Sequence, residues 1–135
     1  MFLGSLRSWS LVWYLLVVLN VVKPEVMNPV KVVRPIGILD GTKVDELHQQ
    51  VDAAVDAGAS IILVNLKDVI FMDSSGLGAL VVALKKVRAI GKKMCLCSVS
   101  QQLQILFELT SMDRIFEIYK TQDEFQETLL AVAVS

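Results

Sequence analysis

The stretch SIILVNLKDVIFMDSSGLGALVVALKKVRAIG, Ser60 to Gly91, decides the fold. Its opening, Ser60-Ile-Ile-Leu-Val-Asn-Leu66, is a continuous apolar run, the pattern of a strand covered on both faces. A polar turn at Asp73-Ser74-Ser75-Gly76 comes next. Leu77, Leu80, Val81, Leu84 and Val87 then recur at helical spacing as far as Gly91, a residue suited to the left-handed position that closes a helix. A buried strand followed by an amphipathic helix is half of a crossover unit, and the other half is a parallel strand.

Met94 to Val99 supplies that strand, and the pattern repeats on either side. Upstream, Val30–Val33 and Ile36–Leu39 are β-branched runs around Pro35, which reads as a strand pair at a sheet edge, where proline is tolerated. Asp40-Gly41 ends them. Val44, Leu47, Val51, Ala54 and Val55 predict a helix stopped by Gly58. Downstream, Gln101–Leu109 reads as a helix, Ile115–Tyr119 as a short strand and Asp123–Val132 as a closing helix. The expected class is α/β, with a mixed, mostly parallel sheet of about five strands and four helices.

Composition divides the chain. Of its 135 residues 54% are hydrophobic, above the roughly 45–50% of an ordinary domain. The excess lies in residues 1–22, which include both Trp residues, and without them about half of the remainder is apolar, as in a soluble domain. The expected organisation is therefore an apolar leader, 1–26, and one domain, 28–135. Leu11–Val22 is apolar except for Asn20, but it would span only about 18 Å as a helix against a hydrocarbon core of about 30 Å. Extending back to Met1 places Arg7 inside the span. Three readings stay open: translation starting at Met27, a membrane-associated segment, or a signal peptide lacking the usual small-x-small cleavage site.

Several kinds of chemistry are excluded. A net charge of −1 lacks the basic excess of a nucleic-acid binder. The single histidine, His48, has no cysteine near it, and Cys95 and Cys97 lie two apart on one face of a strand. That is not a zinc set, so no metal is expected and the cysteines read as reduced, buried thiols. Neither GxxxxGK[ST] nor GxGxxG occurs, and no cofactor is expected. A serine on a strand-to-helix turn suggests a hydrolase nucleophile. Met72 and Asp73, however, stand where the first glycine of GxSxG would be, and His48 precedes the serine instead of following an acid.

The serine pair remains. A Ser or Asp just before an apolar helix is first an N-cap, its oxygen accepting from a free first-turn N–H. Two hydroxyls and a carboxylate are more than one cap needs. Gly76 and Gly78 leave the first turn without bulk, so that another protein could approach Ser75, and Ala79, Val82 and Ala83 offer a small apolar second face beside it. The positive end of the helix would tolerate a phosphate on Ser75, with Asp73 opposing it by like charge. The basic run Lys85-Lys86-Val87-Arg88 to Lys92-Lys93 suits a helix C-terminus, and attraction to an acidic partner or lipid is the sharper alternative.

Phe71-Met72-Asp73-Ser74-Ser75-Gly76-Leu77-Gly78-Ala79-Leu80 closely resembles the signature of STAS domains, specifically bacterial anti-sigma factor antagonists. The similarity extends to Gly37-Ile38-Leu39-Asp40, to Ile61–Val69, and to Leu106–Leu109 with Met112–Phe116. The resemblance implies a cytoplasmic protein without enzymatic activity. Its unmodified form binds an anti-sigma factor that is also a serine kinase, freeing the sigma factor. Phosphorylation of Ser75 by that kinase releases it, and a metal-dependent phosphatase reverses the modification. Asp73, Ser74, Gly76, Leu77, Gly78, Ala79 and Val82 are then the expected partner-binding residues. The sequence departs from many relatives at Asn65, where they have Asp, and at Ser111, where they have Gly. The alternative function is a non-switching STAS scaffold in a membrane or transport complex, tethered by residues 1–22.

Overall fold

The computed structural model describes residues 29–134 and, within the leader, Leu11, Val12, Tyr14, Leu15, Val18 and Leu19. The readings of residues 1–26 otherwise fall outside the described residues. No helix among the described residues is long and apolar enough to cross a membrane.

The strands are β1 (Val30–Val33), β2 (Gly37–Leu39), β3 (Ile61–Asn65), β4 (Val69–Met72), β5 (Lys93–Cys97) and β6 (Glu117–Tyr119). The helices are α1 (Val44–Asp56), α2 (Ser74–Ala89), α3 (Gln101–Leu109) and α4 (Gln122–Val134), with short 3-10 turns at Gly41–Lys43 and Met112–Arg114. The α/β class, the four helices and the parallel pairing are as expected. β1-β3-β5-β6 form one parallel sheet, and β2 and β4 form a parallel pair of their own.

Two expectations are corrected. β1 and β2 do not pair with each other: β1 lies on β3, with Val30 opposite Ile61, and β2 lies on β4, with Leu39 opposite Met72. Arg34-Pro35-Ile36 thus carries the chain from one sheet to the other. The sixth strand, β4, occupies the segment between the buried strand and the serine turn, and it gives β2 its partner.

The two-sided apolar pattern of the central strands is used in full. Ile62, Val64, Met94 and Leu96 face α1, α2 and α3, packing with Leu47, Val51, Leu80, Leu84, Val87, Leu103 and Phe107. Leu63, Cys95 and Cys97 face the opposite side, where Phe125 and Leu129 of α4 cover them. Both thiols are wholly buried. Burial and the neighbouring Glu117 carboxylate push the Cys95 thiol up to about 12, so it stays protonated and inert.

Gly58 (φ 94°) and Gly91 (φ 76°) close α1 and α2 in the left-handed conformation. Ser111 also adopts it, at φ 58°. A side chain in that conformation carries a steric cost that glycine would avoid.

Candidate functional site at the N-terminus of helix α2

The register of the small sheet builds the site. Leu39 and Met72 sit side by side at the ends of β2 and β4, so the next residues, Asp40 and Asp73, begin two adjacent turns. Each aspartate caps the turn that follows. Asp73 Oδ1 accepts from Gly76 N at 3.0 Å and starts α2. Asp40 Oδ1 accepts from Thr42 N at 2.9 Å and from Thr42 Oγ1 at 2.6 Å. These bonds, the hydroxyl first and then the amide, hold the Asp40 carboxyl below its usual range.

The cap is therefore Asp73, and helix α2 begins at Ser74, earlier than the Leu77 stripe implied. Ser74 and Ser75 occupy the first two helical positions, and both are exposed. Their carboxylate neighbour is committed to the helix end, which frees both hydroxyls from capping duty.

The expected partner-binding residues divide by burial. Ser74, Ser75, Gly78 and Val82 are exposed, with Val82 46% accessible, and Asp73 is half-buried. Ser75, Gly78 and Val82 follow one another at helical spacing and form a single outward strip. Gly76, Leu77 and Ala79 are instead buried and face inward. The physical reason is clearest at Gly76, which approaches the backbone of β2 so closely that a Cβ there would meet Leu39 O and C. Its missing bulk serves packing against Leu39, whereas Gly78 has open space. Ala83, expected on the small second face, is also buried.

His48 does not face the serine pair as a base. Its Nε2 lies 3.1 Å from the main-chain carbonyl oxygen of Ala79, which stitches α1 to the second turn of α2. Among the described residues no group of three or more His, Cys, Asp and Glu is placed to hold a metal. The basic run is largely engaged near the helix end: Lys86 pairs with Asp52 at 3.4 Å, Lys93 with Glu117 at 3.0 Å, and Arg88 donates to the Ile115 carbonyl at 2.9 Å.

Two features of the site were missed by sequence reasoning. One is the outer face of the small sheet, where Ile38 and Phe71 stand opposite each other, 48% and 53% exposed, leading directly to Asp40 and Asp73. No periodic pattern marked this strand, because its two central residues, Ile70 and Phe71, are both exposed. The other is Gly41, read only as a terminator, which lies against Ser75.

Asn65, at the end of β3, is the buried polar residue of the core. Its Oδ1 accepts from Lys67 N at 2.9 Å and its Nδ2 donates to Gln122 Oε1 at 3.0 Å, tying the β3–β4 turn to the start of α4. Asn65→Leu should cost about 1–3 kcal/mol, because it strands these partners. Asn65→Asp should cost far less, since Gln122 can rotate its amide and donate to the carboxylate. Urea denaturation of the two variants checks the order, and equal losses would contradict it.

Comparison with known proteins agrees with this architecture. The STAS domain family matches residues 21–125. An anti-sigma F factor antagonist of Paenibacillus polymyxa is 32% identical over 94 residues, covering 69% of this chain and 80% of that protein. An anti-sigma-factor antagonist (STAS) domain protein of Planctomyces limnophilus superposes with a TM-score of 0.61 at 28% identity, over 78% of this chain and 92% of that one. A sulfate transporter family protein of Wolinella succinogenes shares the fold, with a TM-score of 0.68 at 16% identity over 78% and 87% of the two chains. Sequence similarity extending from before β1 into α4, on a fold shared with these proteins, settles the classification: the chain belongs to the STAS domain family.

Proposed function

We propose that the domain, residues 28–135, is a cytoplasmic anti-sigma factor antagonist switched by phosphorylation of Ser75. The unmodified form binds an anti-sigma factor of the serine-kinase type and frees the sigma factor. Transfer of phosphate to Ser75 releases the antagonist, and a metal-dependent phosphatase resets it. The protein itself is substrate and binder, not enzyme.

The observation that carries this reading is the exposed Ser75 hydroxyl in the first turn of α2, beside a cap that does not need it. A phosphate there meets the positive end of a sixteen-residue helix and the first-turn N–H groups that the helix leaves unsatisfied. The fold survives the modification while the surface seen by a partner gains about −1.5 to −2 charge. The relative from Paenibacillus polymyxa, named an anti-sigma F factor antagonist, supports the choice of partner.

Incubation of the protein with ATP and the serine-kinase anti-sigma factor of its own organism should add one phosphate. Peptide mass spectrometry should place it on Ser75, and Ser75→Ala should take none. Phosphate on another residue, or a Ser75→Ala protein that binds and releases its partner like the wild type, would overturn the switch. The apolar leader favours a second reading, a membrane-tethered scaffold. It predicts membrane pelleting that is lost on deleting residues 1–26 and unaffected by Ser75→Asp.

A further inference from the structure

Three glycines surround the serine turn, and the fold explains the lack of a side chain at only one of them. Gly76 is pressed against the Leu39 backbone, and Gly78 faces open space. Gly41 differs from both. A Cβ at Gly41 would have two neighbours within 4 Å, Ser75 Cβ and Ser75 Oγ, each at 3.8 Å. Its φ lies outside the left-handed range, so the backbone does not demand glycine there. Nor is the turn loose: Asp40 holds Thr42 through two hydrogen bonds, and Lys43 N donates to Asp40 O at 3.0 Å. The empty position at residue 41 is thus fixed in place, exposed, and open onto the Ser75 hydroxyl.

We propose that the vacant side-chain position of Gly41 is the seat of the phosphoryl group on Ser75, which makes residue 41 the determinant of how readily that hydroxyl is modified. The inference rests on the switch proposed above and adds a second residue to it. In the transfer, Ser75 Oγ forms a bond to the γ-phosphorus of ATP. The bond from that phosphorus to the ADP oxygen breaks, and the hydroxyl proton passes to a base of the kinase. The phosphoryl group needs room on the solvent side of Oγ, and Gly41 borders that space. A methyl at residue 41 makes ordinary van der Waals contact with the unmodified serine, so the resting fold accepts it. The stiff, branched side chain of valine fills the space in which the phosphate sits.

Two arms test the seat. In the first, initial rates of phosphorylation by the serine-kinase anti-sigma factor are compared for wild type, Gly41→Ala and Gly41→Val, with thermal melting as a check on folding. Gly41→Val should be slower on the order of a hundredfold, since misplacing a reacting group by about 1 Å costs that much, and Gly41→Ala should fall between. In the second, phosphoserine is incorporated genetically at position 75, so no kinase is needed. Phosphoserine should leave the melting temperature of the Gly41 protein nearly unchanged and lower that of Gly41→Val by about 4 °C or more. Equal rates across the three proteins, or equal melting shifts with glycine and valine at 41, overturn the inference. A wild-type protein that takes no phosphate from the kinase sinks the switch instead, and the phosphoserine arm then decides the seat by itself.

Discussion

Gly76→Ala should remove about 3 kcal/mol or more of stability, a large share of the roughly 5–15 kcal/mol that holds a domain of this size together. A Cβ at residue 76 would overlap Leu39 O and lie 2.8 Å from Leu39 C and 3.0 Å from Met72 Cγ. Two of these three atoms are backbone, at the end of a strand already paired with β4, so no side-chain rotation relieves the contact. The helix must lift away from β2, and the Asp73 cap and the buried Leu77 and Leu80 lift with it. Gly78→Ala, two residues further along the same turn, should do the reverse. Its Cβ would meet nothing within 4 Å, and replacing glycine inside a helix gains about 0.5–1 kcal/mol. Urea denaturation of both variants reads the pair directly. A Gly76→Ala midpoint close to wild type would mean that helix and strand do not approach as described.

The contrast between these glycines shows what sequence can carry about this site. Spacing alone located the turn, the helix behind it and Gly91 at its end, because periodicity and capping are local properties. It also located the lack of bulk at residues 76 and 78. It could not say which way each gap faces, since that depends on a strand almost forty residues upstream. Gly76, Leu77 and Ala79 were therefore assigned to a partner, although the first is claimed by β2, the second by the core and the third lies beneath His48.

Strand pairing had the same limit. Val30–Val33 and Gly37–Leu39 are neighbours in sequence with a proline between them, which favours reading them as partners. In parallel sheets the partner of a strand lies a whole crossover away, so proximity in sequence misleads. β4 was obscured by its own pattern: Val69 and Met72 are buried while Ile70 and Phe71 between them are exposed, so neither strict alternation nor a continuous buried run marks it. The site depends on that strand, because only the β2–β4 ladder brings Asp40 and Gly41 beside Asp73 and Ser75. The buried strands β3 and β5 were plain in the sequence, since coverage on both faces leaves an unbroken apolar run.

Ser75→Glu should separate binding from stability. In the free protein, a carboxylate at the second position of α2 gains about 0.3–1 kcal/mol from the helix dipole, and the nearby Asp73 and Asp40 carboxylates return part of it. The melting temperature should therefore stay close to that of wild type. The partner meets a different surface. Ser75 lies on the outward strip with Gly78 and Val82, and the exposed apolar pair Ile38 and Phe71 leads into the same turn. A docked protein that covers this area dehydrates residue 75, and an unpaired charge buried in an interface costs about 2–5 kcal/mol. At about 1.4 kcal/mol per decade, affinity for the anti-sigma factor should fall from roughly thirtyfold to several thousandfold, while Ser75→Ala stays near wild type. Calorimetric titration measures both variants, and full-strength binding by Ser75→Glu would remove residue 75 from the interface. The two readouts have to be taken together. A loss of binding accompanied by a large fall in melting temperature would report a damaged fold, whereas a loss with the fold intact is what a phosphorylation switch at this position requires.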